Sequence, residues 1–328
     1  MNQLFDLHHR VVQYLRVSIT DLCNLRCVYC RPPEGLKLTT HEEILRYEEI
    51  LKLVTIARDM GIKKIRVTGG EPLVRRGVLQ FLARLTSLEG IEDVGLTTNG
   101  VLLAEMAADL KAAGLRRINI SLDSLRPEVF RDITRGDQLS AVLAGVDRVL
   151  ELGFHPVKIN VVLLRGINEI DVPAFAAMTF EKPVDIRFIE RMPFGSDPVP
   201  EDSPPPFSAQ ATLAMIRHEF GDLLPVERCP LDGPATMYRL ERAVGRIGVI
   251  DPVTGHFCGT CNRMRLTARG TLRPCLLSPN EIDVKGALRS GASRDELVRV
   301  IQAAVLAKPM GNTGAVQGQS RGMYLIGG

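Results

Sequence analysis

The feature that most constrains this chain is a regular alternation of short strand-like and longer helix-like segments from about residue 11 to 230. Period-two apolar patterning predicts strands over 12–19, 64–68, 94–98, 117–122, 157–163 and 184–189. Between them, 41–60, 77–88, 103–113, 139–152 and 172–179 carry helical spacing. Such alternation predicts βαβ units and a parallel sheet. The length of 328 residues would admit about two domains. Six units in one array nevertheless fit an open or partial barrel better than two small domains.

The strands also carry polar residues at every second position. Arg16, Ser18 and Thr20 share one face; Arg66 and Thr68, Thr97 and Asn99, Asn119, Ser121 and Asp123, Lys158 and Asn160, and Asp185 and Arg187 repeat the pattern. Helices must cover the apolar face, so the polar one points inward. A polar interior is costly unless it holds ligand or water. The pattern therefore predicts a wide, incomplete barrel with a ligand-filled lumen; the alternative is an open sheet with one solvent-washed face. Arg16, Arg66, Lys158 and Arg187, from four strands, suit phosphate or carboxylate oxygens. Each could instead pair with a local acid such as Asp123 or Asp185, an alternative best suited to Arg187.

Beyond residue 190 the pattern changes. Residues 193–207 are rich in Pro and Ser and read as a long loop. A short helix is expected near Ala209–Phe220, antiparallel strands over Thr236–Leu240 and 245–250, and helices near 281–288 and 294–307. The expected fold is α/β: an incomplete TIM-type barrel of parallel strands over 1–230, with a smaller α+β module over 231–328 closing the lumen.

Charge excludes little but directs the search. Forty-one Lys+Arg against 38 Asp+Glu leave +3, which makes no case for a nucleic-acid binder. Residues 1–10 lack an apolar signal core, and no run approaches the roughly 20 apolar residues of a membrane span. A cytoplasmic location, with no membrane and no nucleic acid as partner, is the expectation.

In a reducing compartment, close-set cysteines read as metal ligands. Cys23, Cys27 and Cys30 form a CxxxCxxC directly after the first strand. Three thiolates can hold three corners of an iron–sulfur cube, leaving one iron open for reaction. Gly69-Gly70-Glu71-Pro72 follows the second strand, and its glycines suit close backbone approach to a ligand. A second triad, Cys258, Cys261 and Cys275, fits either zinc, with His256 or Cys229 as fourth ligand, or a second cluster.

CxxxCxxC followed by GGEP resembles the radical S-adenosylmethionine superfamily. YLRVSITDLCNLRCVYC, KKIRVTGGEPLVRR, GLTTNG, INISLDSL, KINVVLLRGIN, RFIERMPFG and FCGTCNRMRLTARGTLRPCLL, in this order, are similar to the molybdenum cofactor biosynthesis protein A family, the GTP 3′,8-cyclases. The likeness spans 14–328 and includes the double-glycine end, Gly327-Gly328. Arg31 stands where methionine is common and Arg269 where an acid is often found; Arg31 could alter packing beside the cluster.

The resemblance implies two 4Fe-4S clusters and S-adenosylmethionine. Cys23, Cys27 and Cys30 would hold the first cluster, and Tyr29, Gly70, Ser121 and Met192 would contact S-adenosylmethionine. Cys258, Cys261 and Cys275 would hold the second cluster, whose open iron meets guanine. Arg16, Arg66, Thr97, Lys158 and the run Arg263-Met264-Arg265 would bind GTP. Arg265 and Arg321, the latter in a tail reaching the active site, would serve the reaction. A deoxyadenosyl radical would take the ribose 3′ hydrogen, and the substrate radical would add to guanine carbon 8. Implied partners are an electron donor such as flavodoxin and, downstream, cyclic pyranopterin monophosphate synthase; a homodimer is admitted. A radical enzyme acting on a peptide is the alternative.

Overall fold

The computed structural model describes residues 3–31, 39–192, 205–227, 233–255, 257–311 and 323–327. Its first two thirds run β1 (Tyr14–Ser18), α1 (Tyr47–Asp59), β2 (Lys64–Thr68), α2 (Val78–Thr86), β3 (Asp93–Thr98), α3 (Leu103–Ala112), β4 (Arg117–Ser121), α4 (Pro127–Thr134), α5 (Leu139–Glu151), β5 (Val157–Leu163), α6 (Val172–Glu181) and β6 (Val184–Glu190). All six expected strands are present. The helix expected from 41 begins only at Tyr47, after a turn and a cap in which the Arg46 N–H donates to the Glu49 carboxylate at 2.7 Å. Helix α4 lies outside the expected set; Pro127 in its first turn is its clearest start signal.

The remainder is α7 (Ala209–Phe220), β7 (Leu223–Pro225), β8 (Thr236–Leu240), β9 (Arg246–Ile250), β10 (Arg263–Leu266), β11 (Thr271–Arg273), β12 (Ile282–Asp283), α8 (Lys285–Arg289), α9 (Arg294–Leu306) and α10 (Met323–Ile326). The twelve strands of the described residues join one sheet, in the order β12-β11-β10-β1-β2-β3-β4-β5-β6-β9-β8-β7. The central eight, β10 to β9, are parallel; the flanking pairs are antiparallel. The two edge strands do not meet, so the sheet is not closed into a barrel.

Residues after 231 extend both edges of this sheet. Strands β8 and β9 form the expected antiparallel pair, but β9 also lies parallel beside β6. Strand β10 lies parallel beside β1, an arrangement that the polar spacing of Arg263 and Arg265 did not signal at a distance of nearly the whole chain. The apolar face packs beneath α1, α2, α3, α5 and α6 in one continuous core that includes Val17, Ile65, Leu96, Ile118, Ile159 and Ile186. Each such fully buried aliphatic side chain contributes about 1.5–3 kcal/mol.

A candidate active site between two cysteine triads

Strand register decides what faces the polar side. Arg265, Arg16 and Arg66 are lateral neighbours on β10, β1 and β2, and the next position, on β3, is Gly95. One step towards the strand starts lie Arg263, Tyr14, Lys64 and Asp93. Further along the sheet Thr97, Asn119, Lys158 and Asp185 form another row. This face is enclosed: Arg66 is 4% exposed, Asp185 5% and Arg187 6%. The solvent-washed alternative is thereby overturned.

Gly95 explains how Arg66 lies in that row. A Cβ there would stand 1.8 Å from Arg66 Nη1 and 2.4 Å from Cζ. The guanidinium occupies the space that a side chain on β3 would take. Arg66 Nε and Nη1 are buried with no hydrogen-bond partner among the described residues. A buried charged donor left unpaired is costly, which marks the place for an anionic acceptor.

Local acids neutralise only part of this charge. Lys64 pairs with Asp93 at 2.9 Å, and Arg117 donates to the same oxygen at 2.9 Å. Asp185 accepts two hydrogen bonds at 2.7 Å from Arg246 and has Lys158 at 3.7 Å. Pairing with Asp185 thus falls to Arg246 and Lys158; Arg187 Nε has no hydrogen-bond partner among the described residues. Burial, then Arg66, pulls the Arg187 guanidinium down to about 10. Burial, then Arg16 and Arg263, hold Arg265 well below the usual arginine value. Tyr14 is resisted by burial, but Arg66, Arg16 and Lys64 outweigh it and bring the phenol down to about 7. Tyr14 and Lys64 were missed as lining residues although each stands two positions before a chosen arginine, on the same face.

Met264 does not share this face. It is 2% exposed and packs in the apolar core, because alternation along β10 turns it away from Arg263 and Arg265. Its side chain is thus turned away from the cationic row, so any contact of Met264 with substrate would run through its backbone. Thr97 does lie on the polar side, where the Asn119 amide reaches its hydroxyl at 3.4 Å.

The first triad occupies the loop at the C-terminal end of β1. Burial, then Asp123 and the two neighbouring thiols, push the Cys27 thiol well above its usual value; burial, then Cys23, pushes Cys30 up to about 11. Three half-buried thiols, with Cys27 and Cys30 disfavoured as thiolates by their neighbours, fit a cationic iron centre as their common partner. The Asn99 side-chain amide approaches Cys23 Sγ at 3.7 Å and donates to Asn24 at 2.7 Å. Glu71 is wholly buried and accepts from Thr98 at 2.8 Å and from the Asn99 N–H at 2.7 Å; burial pushes its carboxyl up to about 7.

Gly69 and Gly70 lie where two backbone segments approach closely. A Cβ on Gly70 would meet Leu22 O at 2.3 Å and Asp21 O at 2.7 Å, and the Gly70 N–H donates to Thr20 O at 2.7 Å. The glycines let the turn after β2 pack on the cysteine loop itself. Tyr29 donates its hydroxyl to Asp123 at 2.6 Å, and burial pushes Asp123 up to about 6. Ser121 and Met192 stand at the ends of β4 and β6, at the same edge of the sheet as the triad.

The second triad sits at the opposite edge. Cys258 and Cys261 precede β10, and Cys275 follows β11, which runs back beside it. The Asn262 carbonyl accepts from the Gln13 and Tyr14 N–H groups at 3.2 Å, at the N-terminal end of β1. The five residues of β1 between the triads span about 16 Å. Electrostatics here is reversed. Burial raises Cys261, but Arg263 and Lys308 outweigh it and lower the thiol to about 6. Arg263 also covers the Phe257 ring at 4.9 Å. Among the described residues no three Cys, His, Asp or Glu side chains converge as ligands of a single ion do. Thiolates that bind separate irons of a cluster need not converge. His256 and Cys229 lie outside the described residues.

The tail enters the site. Gly327 adopts φ of +75°, and a Cβ there would meet Ser18 at 3.0 Å and Thr68 at 3.1 Å. Arg265 donates to the Gly327 carbonyl. Tyr324 lies under the Arg31 guanidinium at 5.0 Å, and its N–H is directed at the Cys30 sulfur. Arg31 also donates to Asp21 O, beside the first triad. Arg321 and Gly328 lie outside the described residues.

Residues 17–178 match the family model described as the radical SAM superfamily, and 184–313 the one described as Molybdenum Cofactor Synthesis C. The chain is 49% identical over 310 residues to the GTP 3′,8-cyclase of Desulforamulus reducens, covering 93% of this chain and 94% of that one. It is 45% identical over 326 residues to that of Alkaliphilus oremlandii, covering 98% and 99%. Among solved structures, Streptococcus suis SuiB bound to precursor peptide SuiA aligns with a TM-score of 0.61 at 13% identity, over 94% of this chain and 73% of that one. That likeness concerns the fold alone.

Proposed function

The chain belongs to the GTP 3′,8-cyclase family of the radical S-adenosylmethionine superfamily, and from that premise we propose that it converts GTP to (8S)-3′,8-cyclo-7,8-dihydroguanosine 5′-triphosphate in the first step of molybdenum cofactor biosynthesis. Cys23, Cys27 and Cys30 hold the first 4Fe-4S cluster; Cys258, Cys261 and Cys275 hold the second. With S-adenosylmethionine bound at the first cluster, the cofactors supply a hydrogen-abstracting radical. Tyr29, Gly70, Ser121 and Met192 surround S-adenosylmethionine in this reading.

Arg16, Arg66, Thr97, Lys158, Arg263 and Arg265 bind GTP between the triads. The cations take the triphosphate through charge-assisted hydrogen bonds. The enclosed face keeps water from the reacting ribose. Both reacting carbons belong to one bound molecule, so holding the base and ribose in place does much of the work. Arg265 joins the tail to this site through Gly327, and Arg321 is assigned there with it.

The observation that carries this reading is the buried Arg66 guanidinium with two unpartnered nitrogens, seated in the gap left by Gly95. A row of arginines suits a polyanionic nucleotide and gives a neutral peptide no partner of matching charge. An electron donor such as flavodoxin, cyclic pyranopterin monophosphate synthase as the consumer of the product, a homodimer, a cytoplasmic location and a functional division at 230/231 complete the proposal. Among the described residues no helix is long and apolar enough to cross a membrane.

Anaerobic reconstitution tests it. About eight irons per chain and calorimetric binding of GTP in preference to ATP are expected. Four irons with one zinc, or equal affinity for the two nucleotides, would overturn it.

A further inference from the structure

Lys308 follows the C-terminus of α9 and is 4% exposed. Its ammonium has three acceptors: Cys261 Sγ at 3.4 Å, Arg263 O at 2.8 Å and Pro274 O at 3.0 Å. Among the described residues no carboxylate pairs with it, so its one partner able to carry negative charge is the Cys261 sulfur. A buried ammonium is costly without an opposing charge. The two carbonyls belong to the arms on either side of the triad: Arg263 opens β10 just after Cys261, and Pro274 immediately precedes Cys275. The adjoining segment is anchored as well. Arg10 donates to Pro309 O at 2.6 Å, to Met310 O at 3.3 Å and to Cys258 O at 2.7 Å, and its Nε is held by Asp6 at 2.6 Å.

We propose that Lys308 is a positioning residue of the second cluster that also sets its reduction potential: one ammonium fixes the spacing of the arms bearing Cys261 and Cys275 and donates a hydrogen bond to the Cys261 thiolate. The proposal rests on the two-cluster reading. An N–H donor on a ligating sulfur draws charge from the cluster and stabilises its reduced, more negative form, so it raises the potential. The first triad has no ammonium on its sulfurs among the described residues; its one side-chain donor, at 3.7 Å from Cys23, is the neutral amide of Asn99. The cation nearest the first triad is the Arg31 guanidinium, whose charge acts on Cys23 and Cys30, whereas Lys308 donates directly to a sulfur of the second.

The test uses the full chain with Cys23, Cys27 and Cys30 replaced by Ala, so that the second cluster alone gives the electron paramagnetic signal. Lys308→Met, Lys308→Gln and Lys308→Arg are reconstituted anaerobically, assayed for iron and titrated for potential. With about four irons retained, Lys308→Met is expected to fall in potential by a shift worth at least tenfold in the one-electron equilibrium, about 59 mV. Lys308→Gln should fall in the same direction, and Lys308→Arg should recover most of the difference. Loss of iron from Lys308→Met with retention in Lys308→Arg also supports the positioning role. An unchanged potential in both Lys308→Met and Lys308→Gln, at full iron content, would overturn the proposal. Absence of iron from the parent triple variant would instead overturn the two-cluster reading beneath it.

Discussion

Gly95→Ala is the sharpest probe of the anion site, because it alters no charge. The new Cβ would stand 1.8, 2.4 and 2.9 Å from Nη1, Cζ and Nη2 of Arg66. All three are atoms of the guanidinium tip, so the side chain swings away while β3 keeps its place. If Arg66 binds phosphate, one charge-assisted hydrogen bond is lost, at about 1.5–3 kcal/mol. That corresponds to roughly 10- to 150-fold weaker GTP binding. Arg66→Ala should weaken it by a similar factor, and the double variant should add little, since both remove the same contact. Calorimetry on the reconstituted enzyme reads this, with iron content and S-adenosylmethionine binding as controls that stay unchanged. Wild-type GTP affinity in both single variants would show that Arg66 serves the sheet and not the nucleotide.

Other outcomes follow from the same geometry. Cys27→Ala should abolish S-adenosylmethionine cleavage, whereas Cys261→Ala should retain some cleavage and lose cyclised product; equal loss of cleavage in both, measured as 5′-deoxyadenosine, would undermine the division between triads. Deleting residues 327 and 328, or making Gly327→Val against Ser18 and Thr68, should leave both clusters assembled and strongly reduce cyclisation; full turnover would reduce the tail to packing. In cluster-free protein at pH 7 Cys261, lowered to about 6, is mostly thiolate, while Cys27, raised well above its usual value, is a thiol. Iodoacetamide should therefore label Cys261 first, with a rate that climbs through pH 6 and then levels; preferential labelling of Cys27, read by peptide mass spectrometry, would contradict this.

Period-two patterning made β1 to β6 legible, since one face had to be apolar for the helices and the other carried arginine and lysine. It also puts Arg16, Arg66 and Lys158 on one face. Contacts between distant segments were not legible. Nothing near Arg263 announces that β10 will pair with β1, and no local signal links Lys308 to Cys261 or Arg10 to Cys258. Glycine was the least transparent residue. Gly70 reads as room for a ligand and also makes room for Asp21 and Leu22, while Gly95, which makes room for Arg66, carries no motif at all. Met264 shows the converse limit: a residue inside a binding run can still obey strand alternation and turn into the core.

The central claim is that this chain takes a hydrogen from the ribose of GTP and joins that carbon to guanine. The most direct measurement incubates the anaerobically reconstituted enzyme with S-adenosylmethionine, a reductant and GTP deuterated at the 3′ position. Deuterium should appear in 5′-deoxyadenosine in step with a cyclised nucleotide product. Deoxyadenosine free of deuterium, or formed while GTP remains intact, would contradict it.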